Sequence, residues 1–289
     1  MNDLKTIHTS EGDVQYADVG DGPPVLYFHG FGVGADAIVS VEHSLAEDGL
    51  RLIVPNRPGY YGTPLSSGAT SHACASLFNK LLDALRLERV AVIGSSGGGF
   101  YAARFAALYP ARTSCLVLEC SNMHSWDDRR WLPAHSRWML PLLRRSHLRW
   151  WLVRAFRIQL RFAKPLGQLK QSAGQRFRDV QDDPAAIEFC RFMLDSMRQC
   201  LQQPAGFSND FAVILAENGI EAGSIRCPTL MVHDELDPIA PIENVHWAIE
   251  RIPNARWLNV HTAGHYIWVG PDAKRARAER LRFLQTHSP

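Results

Sequence analysis

The chain of 289 residues is 46% hydrophobic and 21% charged, proportions that exclude a disordered protein. At this length a core can bury roughly three quarters of the unfolded surface without disulfide or metal staples. A net charge of +2 excludes a strongly basic nucleic-acid binder, and no run of about eighteen apolar residues is present to span a bilayer.

The polar stretch 1–14 lacks the apolar core of a secretion signal, so a cytoplasmic location is expected. Residues 25–28 form the first apolar run, ending at His29-Gly30. A helix-like segment at 35–48 follows, then apolar runs at 52–54, 90–93 and 115–118, separated by helix-like stretches at 73–87 and 98–109. Continuous apolar runs alternating with helices predict parallel strands buried on both faces, hence an α/β fold. Near residue 122 the pattern stops. Through 125–203 the spacing is helical, with Arg154, Arg157, Arg161 and Lys164 on one side and Leu152, Phe156 and Leu160 on another. Pro133, Pro141 and Pro165 divide the stretch into several helices. Strand-like runs return at 229–232 and 257–260, with helices at 242–251 and 273–286. The expected organisation is an α/β body, 1–122 and 207–289, interrupted by a helical insert, 123–206.

Charge follows the same division. Thirteen basic residues and no acidic one lie between Arg129 and Arg178, leaving 18 basic against 29 acidic residues, a net −11, elsewhere. The insert also holds five of the eight tryptophans, Trp126, Trp131, Trp138, Trp150 and Trp151, expected as apolar pocket walls or as packing against the body. Its charge admits a solvated face, attraction of an anionic substrate, or peripheral contact with a membrane. Six cysteines form no CxxC pair and are read as buried hydrophobes.

Gly94-Ser95-Ser96-Gly97-Gly98 is a G-x-S-x-G motif centred on Ser96, after a predicted strand and opening a predicted helix. A serine on that turn is exposed above the sheet, and the helix N-terminus favours developing negative charge. A hydroxyl needs a base to become nucleophilic. His265 is the candidate, on a glycine-containing loop after the last predicted strand, and it needs a carboxylate to orient it, with Asp237 available after the run at 229–232. Asp234 and Glu235, close by in sequence, are expected at the surface.

These residues resemble the α/β-hydrolase family, and further segments extend the likeness. Residues 25–34 read V-L-Y-F-H-G-F-G-V-G, like the family's first central strand and its H-G-x loop. Asn56-Arg57-Pro58-Gly59-Tyr60 is similar to D-x-P-G-x-G, with Asn56 replacing the acid and Tyr61 an extra residue before Gly62. His233 to Pro241 resembles H-G-x-x-D-x-x-x-P, with Asp234 replacing the glycine, and Ala263-Gly264-His265 resembles the terminal G-H. The resemblance implies a mostly parallel central sheet flanked by helices, with an inserted helical cap. It implies Ser96, Asp237 and His265 as catalytic residues, with Glu119 a second-choice acid. His261 is a poorer base, and His29 is expected to shape the oxyanion loop. The oxyanion donors are expected to be the backbone N–H groups of Phe31 and Gly97, and Phe31, Ser95, Trp126, Trp131 and Trp138 are expected to line the pocket. Serine at the elbow sets the chain apart from the relatives that use aspartate there.

The expected function is hydrolysis of an ester or related acyl compound with a hydrophobic part, needing neither cofactor nor metal. A lyase, acyltransferase or cofactor-free peroxidase on the same serine, or a receptor-like binding protein, stays open, as does the oligomeric state.

Overall fold

The computed structural model describes residues 4–124, 138–217 and 219–289. In chain order the body begins with β1 (Lys5–Thr9), β2 (Gly12–Val19), β3 (Pro24–Phe28), α1 (Ala35–Glu47), β4 (Arg51–Pro55) and α2 (Ser71–Ala84). It continues with β5 (Val90–Ser95), α3 (Gly98–Leu108) and β6 (Thr113–Glu119). Among the described residues, helices then follow without a strand: α4 (Leu140–Leu143), α5 (Ser146–Phe162), α6 (Pro165–Ala173), α7 (Phe177–Val180), α8 (Pro184–Cys200) and α9 (Ala205–Ala216). The body closes with β7 (Thr229–His233), α10 (Glu243–Arg251), β8 (Ala255–Asn259) and α11 (Ala273–His287).

Eight strands among the described residues form one sheet in the order β1-β2-β4-β3-β5-β6-β7-β8. β1 and β2 are antiparallel, β2 meets β4 antiparallel, and β4 through β8 run parallel. Successive strand residues enter opposite layers, as the two-residue repeat requires. Leu26, Phe28, Val92, Leu116 and Leu118 pack with α2, α3 and α10. Val25, Tyr27, Ala91, Ile93 and Val117 pack with α1 and α11. Burial on both faces explains why β3, β5 and β6 are legible as unbroken apolar runs. The β1–β2 hairpin is not predicted by the sequence reading. β1 is an edge strand with Lys5 and Thr6 exposed, so its apolar signal is diluted.

Pro141 and Pro165 occupy the first turns of α4 and α6, where a missing N–H costs nothing. The Arg198 guanidinium from α8 closes the C-terminus of α5, donating to the carbonyls of Leu160 (2.9 Å) and Ala163 (2.7 Å). α9 runs through the expected boundary at 206/207, so the last helix between β6 and β7 is not divided there. All six cysteines are buried and free. Among the described residues no helix is long and apolar enough to cross a membrane.

Candidate active site

β5 delivers Ser96 onto a sharp turn with φ +50°, a left-handed conformation that costs an L-residue about 1–2 kcal/mol. The turn is held by the Ser96 N–H on the Glu119 carbonyl (2.8 Å), and by the Ser96 carbonyl accepting from Gly99 and Asn122 (both 3.1 Å). The flanking glycines are required by close approach. A Cβ at Gly94 would lie 2.5 Å from the Ala102 Cβ, and one at Gly98 would lie 2.2 Å from the Phe28 carbonyl oxygen.

Above this turn, three loops at the C-terminal ends of parallel strands converge. The Ser96 Oγ lies 2.9 Å from His265 Nε2, and His265 Nδ1 lies 2.8 Å from Asp237 Oδ2. An ionised carboxylate only accepts, so Nδ1 carries the proton and Nε2 is left to accept from the serine hydroxyl. Asp237 is held from its other oxygen, where Oδ1 accepts from the N–H groups of Ile239 (2.7 Å) and Ala240 (3.0 Å). The histidine is tied to the helical insert, because its backbone N–H donates to the Ser172 carbonyl of α6 (3.0 Å). Gly264 permits that contact: at φ +61°, its added Cβ would stand 2.6 Å from the same oxygen.

The other candidates are engaged elsewhere. Glu119 is buried, pairs with Arg280 and accepts from the Tyr27 hydroxyl (2.9 Å). Burial pushes its carboxyl up against the pull of Arg280. His261 is exposed and meets Asp179 at 2.8 Å. The expected surface position of Asp234 is corrected, for it is fully buried. It accepts from the N–H of Leu236 (2.9 Å) and Thr262 (3.0 Å) and from Arg176 Nε (3.2 Å). One carboxylate thereby ties the Asp237 turn, the His265 loop and the insert together, and these donors offset its desolvation.

His29 is buried with both ring nitrogens occupied. Nδ1 faces the Gly30 carbonyl (2.9 Å) and must donate, while Nε2 faces the Arg57 N–H (2.9 Å) and must accept. It is neutral and has no free position to act as a base. Burial, then the Arg57 charge, hold its pKa well below the usual histidine range. His233, donating from Nε2 to the Ala240 carbonyl (2.9 Å), is likewise lowered by burial.

Unfolding exposes both imidazoles, which then bind protons below the ordinary value of about 6.5 that the folded state refuses. Stability is therefore retained above about pH 6.5 and falls below it, by up to about 1.4 kcal/mol per pH unit for each histidine. Urea denaturation between pH 7.5 and 5.5 measures this. A profile flat below 6.5 would mean that the two rings take up protons in the folded state.

A buried cluster supports the loop after β3. Arg57 donates to the carbonyls of His29 (3.1 Å) and Gly30 (3.2 Å), and Tyr60 accepts at its hydroxyl from the Gly32 N–H (3.2 Å). The Asp210 carboxylate from α9 receives Arg57 (2.9 Å from Nη2), the Tyr101 hydroxyl (2.9 Å) and the Tyr60 hydroxyl. Burial opposes the Arg57 charge, but Asp210 together with Tyr60 and Tyr101 more than offsets it and keeps the guanidinium ionised. With its carbonyls anchored, the loop brings the Phe31 ring against Gly97, where a Cβ would come within 2.1 Å of a ring carbon. The two expected oxyanion residues are thus neighbours. Asp210 is invisible to motif reading, since its partner Arg57 is 153 residues away.

Ser96 and His265 open on a cavity of about 270 Å³. Ser95 and Phe31 line it, as expected. Trp126 and Trp131 lie outside the described residues. Trp138 is corrected: it is 67% exposed and absent from the lining. Trp150 and Trp151 are exposed too. The insert contributes Phe156 and Phe189 with Met193 and Met197 instead, α9 adds Phe207 and Phe211, and the body adds Trp268. The Trp268 indole N–H donates to Glu42 (2.7 Å), itself paired with Arg280 (2.6 Å). Gln168, Gln171 and Ser172 make one polar side.

Comparison with known proteins agrees with this fold. A family model described as alpha/beta hydrolase fold matches residues 23–269. The chain is 29% identical to an uncharacterized hydrolase, YcgS, of Bacillus subtilis (strain 168), covering 98% of this chain and 99% of that protein. It is 27% identical to a pimeloyl-[acyl-carrier protein] methyl ester esterase of Chromobacterium violaceum, covering 91% of this chain and 96% of that one. Among solved structures it is similar to an alpha/beta hydrolase fold protein from Nakamurella multipartita. That likeness has a TM-score of 0.77 and 28% identity, with 98% and 99% of the two chains covered. The family model spans most of the chain and the sheet order fits it, so the chain belongs to the α/β-hydrolase family.

Proposed function

We propose that this protein is a serine hydrolase of neutral esters or related acyl compounds, with Ser96 as nucleophile, His265 as general base and acid, and Asp237 as its orienting carboxylate. The observation that carries the reading is the unbroken path from Ser96 Oγ through the imidazole to Asp237, opening on an apolar cavity.

His265 Nε2 takes the hydroxyl proton as Oγ attacks the acyl carbon. The negative charge on the carbonyl oxygen is met by the N–H groups of Gly97, at the start of α3, and of Phe31, on the loop after β3. The imidazolium, stabilised by Asp237, returns its proton to the leaving alcohol and the acyl group stays on Ser96. Water, deprotonated by the same nitrogen, attacks the acyl-serine, releasing the acid and restoring the hydroxyl. In this reading the body, 1–122 and 207–289, supplies the reaction and about half of the pocket wall, and the insert, 123–206, together with α9 supplies the rest.

Substrate charge follows from the lining. Among the described residues it contains no Lys, Arg, Asp or Glu, so a charged acyl chain would be desolvated without a counter-ion. This disfavours the expectation that the insert's basic charge draws an anion into the pocket.

A fluorophosphonate probe tests the reading by adding its phosphonyl mass to the peptide containing Ser96. A folded protein that stays unlabelled would sink it. Hydrolysis of p-nitrophenyl butyrate is expected to exceed that of the equally long succinate monoester by at least about tenfold in kcat/KM. Equal turnover would overturn the neutral assignment.

A further inference from the structure

α5 is apolar on two opposite sides, and the cavity uses only one. Val153 and Leu160 are buried inward, and Phe156 reaches the cavity wall. Half a turn around, Trp151, Ala155, Ile158 and Phe162 recur at i, i+4, i+7 and i+11, a spacing that sets them in one stripe along the helix. That stripe faces water: Trp151 is 62%, Ile158 56% and Phe162 78% exposed. Contiguous large apolar side chains on an outer surface mark a place of contact.

The charge beside the stripe identifies the contact. Arg154, Arg157 and Arg161 run along one edge of it, and α5 contains no acidic residue. The Arg154 guanidinium lies 4.5 Å from the Trp150 ring centre, and the Trp150 and Trp151 rings meet edge to face at 5.0 Å. An indole and a guanidinium side by side suit the boundary between acyl chains and phosphates. A second copy of the same face would bring two basic, acid-free helices together, which like-charge repulsion opposes.

We propose that this face docks the protein on an anionic lipid surface. α5 lies in the plane of the interface, with Trp151, Ile158 and Phe162 among the acyl chains and Arg154, Arg157 and Arg161 at the phosphates. Docking does not depend on the hydrolase reading, and its experiment reads binding without turnover.

The full-length protein is floated with vesicles of phosphatidylglycerol mixed into phosphatidylcholine, and with phosphatidylcholine alone. Expected is binding at least about tenfold stronger to the anionic vesicles, weakened by added salt, with a blue shift of tryptophan emission. The triple variant Trp151→Ser/Ile158→Ser/Phe162→Ser and the triple variant Arg154→Gln/Arg157→Gln/Arg161→Gln should each lose at least about tenfold in binding. Both should keep the wild-type melting temperature and the wild-type hydrolysis of a soluble ester. No flotation with anionic vesicles, or equal flotation of either variant, overturns the proposal. So does self-association in lipid-free buffer that the serine variant abolishes, since a second copy would then be the occupant.

Discussion

Replacing Ser96 by alanine is expected to lower kcat/KM for p-nitrophenyl butyrate by at least about 10⁴-fold, roughly 5.4 kcal/mol of lost transition-state stabilisation. The variant keeps its fold, because the turn is held by backbone hydrogen bonds to Glu119, Gly99 and Asn122 that alanine retains. Its melting temperature should stay within about 2 °C of wild type, because only one half-buried hydroxyl is lost beside an open cavity and the His265–Asp237 pair stays in place. His265→Ala should fall by a similar factor. The double variant should be no worse than either single one, because nucleophile and base act as a unit. Activity above about one hundredth of wild type in Ser96→Ala would assign the chemistry to another group. Multiplying effects in the double variant would mean that serine and histidine work separately.

The largest loss of stability is expected from Asp210→Ala. Arg57 and Asp210 are both about 1% exposed, and the tyrosine hydroxyls of Tyr60 and Tyr101 converge on the same carboxylate. Removing it strands a guanidinium in the interior, which costs about 3–5 kcal/mol. In a chain of this size that lowers the melting temperature by on the order of 10 °C. Activity falls as well, since Arg57 then no longer anchors the carbonyls of His29 and Gly30 behind the Phe31 amide. The variant Arg57→Met/Asp210→Leu separates the two roles. Replacing a buried ion pair with apolar groups of similar volume restores much of the stability, but the loop loses its anchor, so kcat stays low. Recovery of both together would show that Arg57 does not position the loop. A melting temperature unchanged in Asp210→Ala would show that water reaches the stranded guanidinium.

The legible part of the site is the part written locally. Gly94, Ser96 and Gly98 surround a single turn, and each glycine answers to a neighbour only a few positions away or to the adjacent strand. Asp237 and His265 each follow a strand within a recognisable short segment. What escaped was long-range. Asp210 lies 153 residues from Arg57, and nothing around either residue marks them as partners. Asp234 looked like a surface acid because its neighbours are polar. It is buried because Thr262 and Arg176 arrive from other elements to satisfy it. The β1–β2 hairpin was unseen because an edge strand buries only part of one face, and its apolar residues are few.

The sequence by itself determined the fold class, the serine turn and the two residues that meet it, His265 and Asp237, because strand burial, tight turns and short loop motifs are imposed over a few neighbouring residues. It also located the basic, aromatic insert. Only the tertiary structure decided which side of that insert meets the cavity. Helical periodicity divides α5 into faces but is silent about what stands opposite each one. Packing against the body turned Phe156 inward and left Trp151, Ile158 and Phe162 in water. The tryptophans that composition alone would put on the pocket wall are therefore, at Trp138, Trp150 and Trp151, on the outside. Burial is a property of pairs of surfaces, and one of each pair comes from far along the chain.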